Sequence, residues 1–161
     1  MNVICFGDSN IYSYDPRSYL GGRYDPVSRW VDILAEETGW TVRNLGENGR
    51  EIPTVAPSFP ADTDLLIVML GTNDLLQGRS PEQAAEKLNR FLSGISLDQN
   101  KILLIAPPPV QLGAWVPNQQ LIDDSRTFAQ LCQTLAEHLG IRFADAGKWD
   151  IPLAYDGVHF T

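Results

Sequence analysis

Two short runs of uninterrupted apolar residues constrain the fold of this chain more than any other feature. Leu65–Leu70 and Ile102–Ala106 contain no polar side chain, which is typical of central strands in a parallel sheet that is covered on both faces. Three further β-rich segments alternate with helical ones, and the five predicted strands are Asn2–Phe6, Thr41–Leu45, Asp64–Leu70, Lys101–Ala106 and Ile141–Ala144. This alternation predicts an α/β fold with a parallel sheet between layers of helices.

Local signals mark the ends of three predicted helices. Apolar residues at helical spacing begin at Trp30, and Gly39 is placed to end that helix. The motif Ser-Pro-Glu-Gln at residues 80–83 predicts a helix start with an N-cap serine, and this helix is expected to run to about Ser93. A longer helix is predicted from about residue 118 to 139, with an apolar stripe formed by Leu121, Phe128, Leu131, Leu135 and Leu139.

Composition and charge narrow the class of protein. A chain of 161 residues with 43% hydrophobic residues can bury one substantial core, so we expect a single domain over residues 1–161. The net charge of −8 argues against nucleic acid and anionic membranes as partners. No apolar stretch approaches the roughly 20 residues of a membrane helix, and the first residues lack a basic leader. We therefore expect a cytoplasmic protein without membrane insertion.

The two cysteines are expected to be structural. Cys5 lies in a strand-like apolar run and Cys132 in a helical one, and neither has a CxxC partner or a metal-like spacing. Cysteine is among the residues most often found fully buried. We therefore predict two buried free thiols rather than a disulfide or a metal site.

The candidate catalytic residues lie near the two ends of the chain. Ser9 directly follows the first predicted strand, and Asp156 lies three residues before His159, so one turn can present both side chains to the same point. A nucleophilic serine needs a base, and the base needs a carboxylate to fix its tautomer. The other histidine, His138, lies at the end of the long helix, where a helix-terminal role is the simpler interpretation. Taken alone, each motif is also an ordinary turn, and a structural role for His159 stays open.

Two further motifs could stabilise an oxyanion. Asn44-x-Gly46-x-x-Gly49 lies at the end of the second predicted strand, and Gly71-Thr72-Asn73-Asp74 follows the third. Backbone N–H groups and an asparagine amide suit the stabilisation of an oxyanion. The structural interpretations are an Asx-turn at Asn73 and a turn with positive φ at Gly49.

In this chain order the four motifs resemble the four sequence blocks of the Gly-Asp-Ser-Leu (GDSL) family, also called SGNH hydrolases. The likeness runs from Phe6 to His159, and the segment from Arg23 to Trp30 looks like the arylesterase branch. The resemblance implies a three-layer α/β/α, flavodoxin-like fold whose five-stranded parallel sheet has the order 2-1-3-4-5.

The resemblance also implies roles for the motif residues. Ser9 would be the nucleophile, His159 the general base and then the acid, and Asp156 the residue that orients the imidazole. The backbone N–H groups of Ser9 and Gly49, with the side chain of Asn73, would form the oxyanion hole. No metal or organic cofactor is implied.

The sequence departs from the family pattern in two places. Asn10 replaces the leucine of the family name, a variant that also occurs in the family. The sequence ends at Thr161, whereas relatives usually continue into a helix. An absent or truncated C-terminal helix would leave one sheet face thinly covered, and this would favour a homo-oligomer.

Asp8 and Asp74 are expected to brace turns rather than to take part in the chemistry.

The expected activity is that of a serine esterase acting on short-chain carboxylic esters, acetyl or aryl, with a small-molecule ester as its partner. Tyr12, Tyr14, Tyr24 and Trp115 lie in long loops and could line an acyl or aryl pocket. Two alternatives stay open. One is a thioesterase or lysophospholipase-type acylhydrolase, and the other is a catalytically idle, flavodoxin-like ligand-binding domain.

Overall fold

A five-stranded parallel sheet forms the centre of the computed structural model, which describes residues 1–161. The strand order is β2-β1-β3-β4-β5, and every neighbouring pair is parallel. This order confirms the predicted fold class. The strands are β1 (Asn2–Gly7), β2 (Thr41–Gly46), β3 (Leu65–Met69), β4 (Ile102–Ala106) and β5 (Arg142–Asp145).

The central strands are buried on both faces, as their apolar composition predicts. Successive side chains of a strand face opposite sides of the sheet, so β1 contributes Ile4 and Phe6 to one core and Val3 and Cys5 to the other. All five residues of β3 are buried. The sheet therefore needs helices on both faces, and the chain supplies them.

Five α-helices accompany the sheet. The predicted bounds of the helices Trp30–Thr38 (α2), Pro81–Ser93 (α4) and Gln119–Leu139 (α5) hold to within one residue, and α4 begins with a full capping box between Ser80 and Gln83. None of the helices has both the length and the hydrophobicity that crossing a bilayer requires. The helices are α1 (Ser9–Tyr12), α2 (Trp30–Thr38), α3 (Thr72–Leu76), α4 (Pro81–Ser93) and α5 (Gln119–Leu139), with 3-10 turns at Pro26–Ser28, Gln99–Lys101 and Ala146–Lys148.

The buried face of α5 differs from the predicted leucine stripe. Phe128 is buried as expected, but the predicted leucines on either side are only partly buried. The fully buried line instead includes small side chains, which let the helix approach the sheet and α4 closely. The buried residues of α5 are Ile122, Ser125, Phe128, Cys132 and Ala136.

Both cysteines are buried free thiols, as predicted. Desolvation by burial raises the pKa of Cys5 to about 12, and burial likewise raises the pKa of Cys132. Both side chains are therefore neutral and pack as small apolar groups.

The sequence pattern did not predict α1 and α3, two short helices that directly follow β1 and β3. Asp8 caps α1, because its carboxylate accepts the backbone N–H of Asn10 at 3.0 Å. This helix passes directly over the end of β2. A Cβ atom at Gly46 would overlap the backbone nitrogen of Tyr12, so the absence of a side chain at Gly46 permits the close approach.

The α2 side of the sheet contains an apolar cavity of about 280 Å³. Trp30 from α2, Met69 from β3 and Ile105 from β4 contribute to its walls. The α2 layer thus leaves space above the sheet at this point.

Substitution of Gly46 is expected to disturb the position of α1. Gly46→Ala should lower the free energy of unfolding by about 1–3 kcal/mol, a typical effect of overpacking, because the new methyl group meets backbone rather than a flexible side chain. Urea denaturation measures the change. Gly94→Ala is the matched control, since its added Cβ would meet its nearest neighbour at 3.4 Å. An unchanged urea midpoint for Gly46→Ala would contradict the close approach of α1.

Candidate active site

Ser9, His159 and Asp156 form a continuous chain of hydrogen bonds. The imidazole Nε2 lies 2.9 Å from Ser9 Oγ, and its Nδ1 lies 2.6 Å from Asp156 Oδ2. All three side chains are buried. A neutral imidazole that donates from Nδ1 to the carboxylate accepts at Nε2, so the serine hydroxyl can donate its proton there.

A tight turn brings Asp156 and His159 together. The Oδ1 atom of Asp156 accepts the backbone N–H groups of Val158 at 2.9 Å and of His159 at 3.0 Å. Gly157 has a φ of +81°, and a side chain there would collide with the carbonyl of Gln111. The Asp-Gly-x-His spacing therefore serves two purposes, since it forms the turn and aligns the carboxylate with the imidazole.

The loop after β4 holds this turn against the edge of the sheet. Gln111 N–H donates to the Gly157 carbonyl at 2.9 Å, and Trp115 N–H donates to the Asp156 carbonyl at 3.1 Å. A third contact comes from the residue before the turn, because the Tyr155 hydroxyl donates to the Pro16 carbonyl at 3.0 Å. These contacts explain how a segment that follows the edge strand β5 returns to the end of the central strand β1.

The carboxylate of Asp156 is held in its charged form. Burial on its own would raise its pKa, but the backbone N–H of His159, the imidazole and the N–H of Val158 together lower the pKa below its usual value. A charged carboxylate at Nδ1 fixes the imidazole tautomer and stabilises an imidazolium when one forms.

Gly49 and Asn73, two of the three candidate oxyanion donors, share a cavity of about 270 Å³ with Ser9, the third, and with His159. Gly49, at a φ of +73°, follows β2, and Asn73 lies in α3 after β3. One N–H of the Asn73 amide donates to the Arg50 carbonyl at 3.1 Å. Because a primary amide has two N–H groups, the second is available to a ligand.

Two of the predicted pocket aromatics border this cavity. The ring of Tyr14 lies 4.6 Å from the ring of His159, centroid to centroid, at an interplanar angle of 59°. Trp115 also lines the cavity, although 59% of the residue is exposed to solvent. An apolar group that entered the cavity would therefore contact an aromatic surface beside His159.

The other two predicted aromatics lie elsewhere. Tyr12 is absent from the cavity wall, because the turn of α1 carries its ring to the guanidinium of Arg23, 4.7 Å from the ring centroid. Tyr24 borders the cavity on the α2 side, and its hydroxyl donates to the Phe160 carbonyl at 3.1 Å.

The sequence indicated a bracing role for Asp74 but not for the half-buried Lys87 and Arg50, two other charged residues next to the site. Asp74 accepts the backbone N–H of Ile52 at 2.8 Å and pairs with Lys87 of α4 at 2.7 Å. The Arg50 guanidinium lies 4.4 Å from the centre of the Phe6 ring and donates to the carbonyls of Gly7, at the end of β1, and of Leu45, one residue before the end of β2. These groups brace the loops that carry the candidate donors.

No set of three or more His, Cys, Asp or Glu side chains converges in a way that could hold a metal ion. The groups that meet in the cavity are a hydroxyl, an imidazole and amide donors, and the Asp156 carboxylate contacts the imidazole from behind. A doubly wound sheet with this arrangement at its carboxyl edge has the architecture of a serine hydrolase.

The chain belongs to the GDSL-like lipase/acylhydrolase family, whose model matches residues 5–161. It is a carboxylic ester hydrolase. None of the curated proteins matches the sequence significantly.

Solved structures of similar fold cover nearly the whole chain. A provisionally named arylesterase from Agrobacterium tumefaciens strain C58 is 29% identical, with a TM-score of 0.77, over 99% of this chain and 89% of that one. The M. smegmatis aryl esterase is 26% identical, with a TM-score of 0.77, over 99% and 90% of the two chains. A carbohydrate acetylesterase family member from Sinorhizobium meliloti, 24% identical with a TM-score of 0.79 over 99% and 89%, shares the fold.

The buried carboxyl of Asp8 is expected to make stability depend on pH. Burial raises its pKa from 3.8 to about 7, although the Asn10 backbone N–H and Arg50 oppose the rise. Between about pH 4 and 7 the folded state therefore keeps a proton that the unfolded state has released. The stabilising contribution is full below about pH 4 and is lost as the pH rises through 7.

Asp8→Asn should remove this contribution to the pH dependence, because the amide is neutral at every pH and keeps an oxygen that can accept the Asn10 N–H. Urea denaturation at several pH values across this interval measures the effect. Asp98→Asn, at an exposed position, is the control for the loss of one carboxylate. A stability that still falls as steeply with pH in Asp8→Asn as in the unmodified protein would refute the assignment.

Proposed function

We propose that this hydrolase is a serine esterase that cleaves short-chain carboxylic esters, acetyl or aryl, through an acyl-enzyme intermediate on Ser9. The observation that carries the proposal is the hydrogen-bonded chain from Ser9 through His159 to Asp156, with N···O distances of 2.9 Å and 2.6 Å. A serine hydroxyl is a weak nucleophile until an adjacent base accepts its proton. The buried imidazole beside this hydroxyl is such a base.

In the first step Ser9 Oγ attacks the ester carbonyl carbon, and its proton passes to His159 Nε2. The carbonyl π electrons move to the oxygen, which becomes an oxyanion. The donors proposed for this oxyanion are the backbone N–H groups of Ser9 and Gly49 and the free N–H of Asn73. Asp156 stays ionised and stabilises the imidazolium. Donors that are fixed before the reaction need no reorganisation as the charge develops.

The tetrahedral intermediate then collapses. The bond to the alcohol oxygen breaks, and the imidazolium of His159 gives that oxygen its proton, so that the alcohol leaves and the acyl group stays on Ser9. A water molecule next gives a proton to His159 and attacks the acyl carbon. Collapse of this second intermediate releases the carboxylic acid and returns the proton to Ser9 Oγ.

The size and lining of the cavity support a small substrate. Its volume of about 270 Å³ is below the roughly 300–1,000 Å³ that is common for drug-sized ligands. Tyr14 and Trp115 provide aromatic surface, and Leu76 and Val158 provide aliphatic surface. The name of the M. smegmatis aryl esterase, at 26% identity, supports an aryl ester as the substrate class.

The nucleophile is tested by Ser9→Ala. This variant should fold normally but lose hydrolysis of p-nitrophenyl acetate, and a fluorophosphonate probe should label the unmodified protein at Ser9 and leave the variant unlabelled. Asn73→Ala is the matched comparison, because it keeps the nucleophile. It should still be labelled, with kcat lower by about 10²–10³-fold through loss of an oxyanion donor. Full turnover by Ser9→Ala would refute the assignment.

The acyl specificity is tested with p-nitrophenyl esters of increasing chain length. We expect kcat/KM for the acetate to exceed that for the decanoate by at least about tenfold, because the longer chain outgrows a cavity of this size. Acetyl-CoA and a lysophospholipid, assayed beside them, distinguish a thioesterase or a lysophospholipase. Ser9→Ala supplies the background rate for each substrate. Preference for the decanoate or for either alternative substrate would contradict the proposed class.

A further inference from the structure

The side chain of Asn10 contacts the backbone on both sides of His159. Its Nδ2 donates to the Val158 carbonyl at 3.1 Å, and its Oδ1 accepts the Phe160 N–H at 3.1 Å. Asn10 is 5% exposed, so water cannot readily replace either bond. The residue next to the proposed nucleophile is therefore tied to both neighbours of the proposed base.

These two bonds resemble the pairing of a short strand. A primary amide presents a donor and an acceptor in one plane, as a peptide group does, and here it engages the carbonyl of one residue and the N–H of the second residue after it. The residue between them, His159, is thereby fixed in the backbone while its Nε2 lies 2.9 Å from Ser9 Oγ. We call this pair of hydrogen bonds, from Asn10 to Val158 and Phe160, the amide bracket.

The backbone of Asn10 is itself held firmly. Its N–H donates to the Asp8 carboxylate at 3.0 Å, and its carbonyl accepts the indole N–H of Trp30 at 2.9 Å. The amide bracket therefore starts from a fixed point one peptide bond away from Ser9. One peptide bond and the two hydrogen bonds of the amide bracket therefore connect the backbone of Ser9 to the backbone on either side of His159.

We propose that Asn10 is a positioning residue that sets the distance between His159 and Ser9 through the amide bracket. The inference rests on the proposed function of those two residues. Leucine, the residue of the family name at this position, has a similar size but no polar atom. In this chain it would leave the buried Val158 carbonyl and the half-buried Phe160 N–H without these partners, which is costly.

Asn10→Leu tests the proposal through the separation of kcat from KM. Asn10 does not line the cavity of Ser9 and His159, so KM for p-nitrophenyl acetate should stay within about twofold of the unmodified value. The value of kcat should fall by about 10²-fold, because a misplacement of the imidazole near 1 Å can cause such a loss. Tyr24→Phe is the matched control. It removes a hydrogen bond to the Phe160 carbonyl without touching the amide bracket, and kcat should change little.

Asn10→Asp gives a second test that keeps the size of the side chain. A protonated carboxyl group can donate to the Val158 carbonyl and accept from the Phe160 N–H, as the amide does, whereas a carboxylate can only accept. Burial of the introduced carboxyl group opposite the Val158 carbonyl raises its pKa, so the group stays protonated to a higher pH than an exposed one does. The ratio of the variant's kcat to that of the unmodified enzyme should therefore rise as the pH falls.

The outcomes separate this proposal from the proposed function. A loss of hydrolysis in Ser9→Ala supports Ser9 as the nucleophile, independently of the result for the Asn10 variants. An unmodified protein without esterase activity would overturn both proposals. A folded Asn10→Leu variant with unchanged kcat would overturn the amide bracket alone, and so would an activity ratio for Asn10→Asp that does not vary with pH. An equal loss of kcat in Tyr24→Phe would show that any loosening of the terminal segment suffices, and this would also overturn it.

Discussion

The parallel pairing of β1 with both β2 and β3 is the constraint on which the active site depends. Because the strands run in the same direction, their carboxyl ends meet at one edge, where Gly7 is paired with Gly46 on one side and with Met69 on the other. Neighbouring strands lie about 4.8 Å apart, so the segments that carry Ser9, Gly49 and Asn73 converge without long loops. Reversal of any one strand would send its segment to the opposite edge of the sheet.

The long, regular elements could be predicted from the sequence because each carries a repeated signal. Continuous apolar runs mark β3 and β4, and the capping residues at Ser80 and Gln83 mark the start of α4. The candidate catalytic motifs were recognisable as a set, since each lies at the end of a strand or in the terminal loop. Helices α1 and α3 have only four and five residues, so no periodicity could develop in them, although Asp8 is a capping residue that could have marked α1.

The rest of the site depends on single polar atoms, and these leave no pattern in a sequence. The return of Asp156 and His159 to β1 rests on backbone hydrogen bonds from the loop after β4 and on the side chain of Asn10. In the sequence Asn10 is only a departure from a motif, whereas in the structure it contacts residues about 150 positions away. Likewise, nothing in the spacing of Lys87 indicates that it pairs with a buried carboxylate.

The distance along the chain between Ser9 and His159 has a consequence for biosynthesis. The two residues are 150 positions apart, and ribosomes add about 5–20 residues per second, so the serine precedes its histidine by about 8–30 s. During this interval the nascent polypeptide has the Ser9 hydroxyl but lacks its imidazole partner. On the roles proposed above, hydrolysis becomes possible only after the turn from Asp156 to His159 has been translated and has docked at the end of β1.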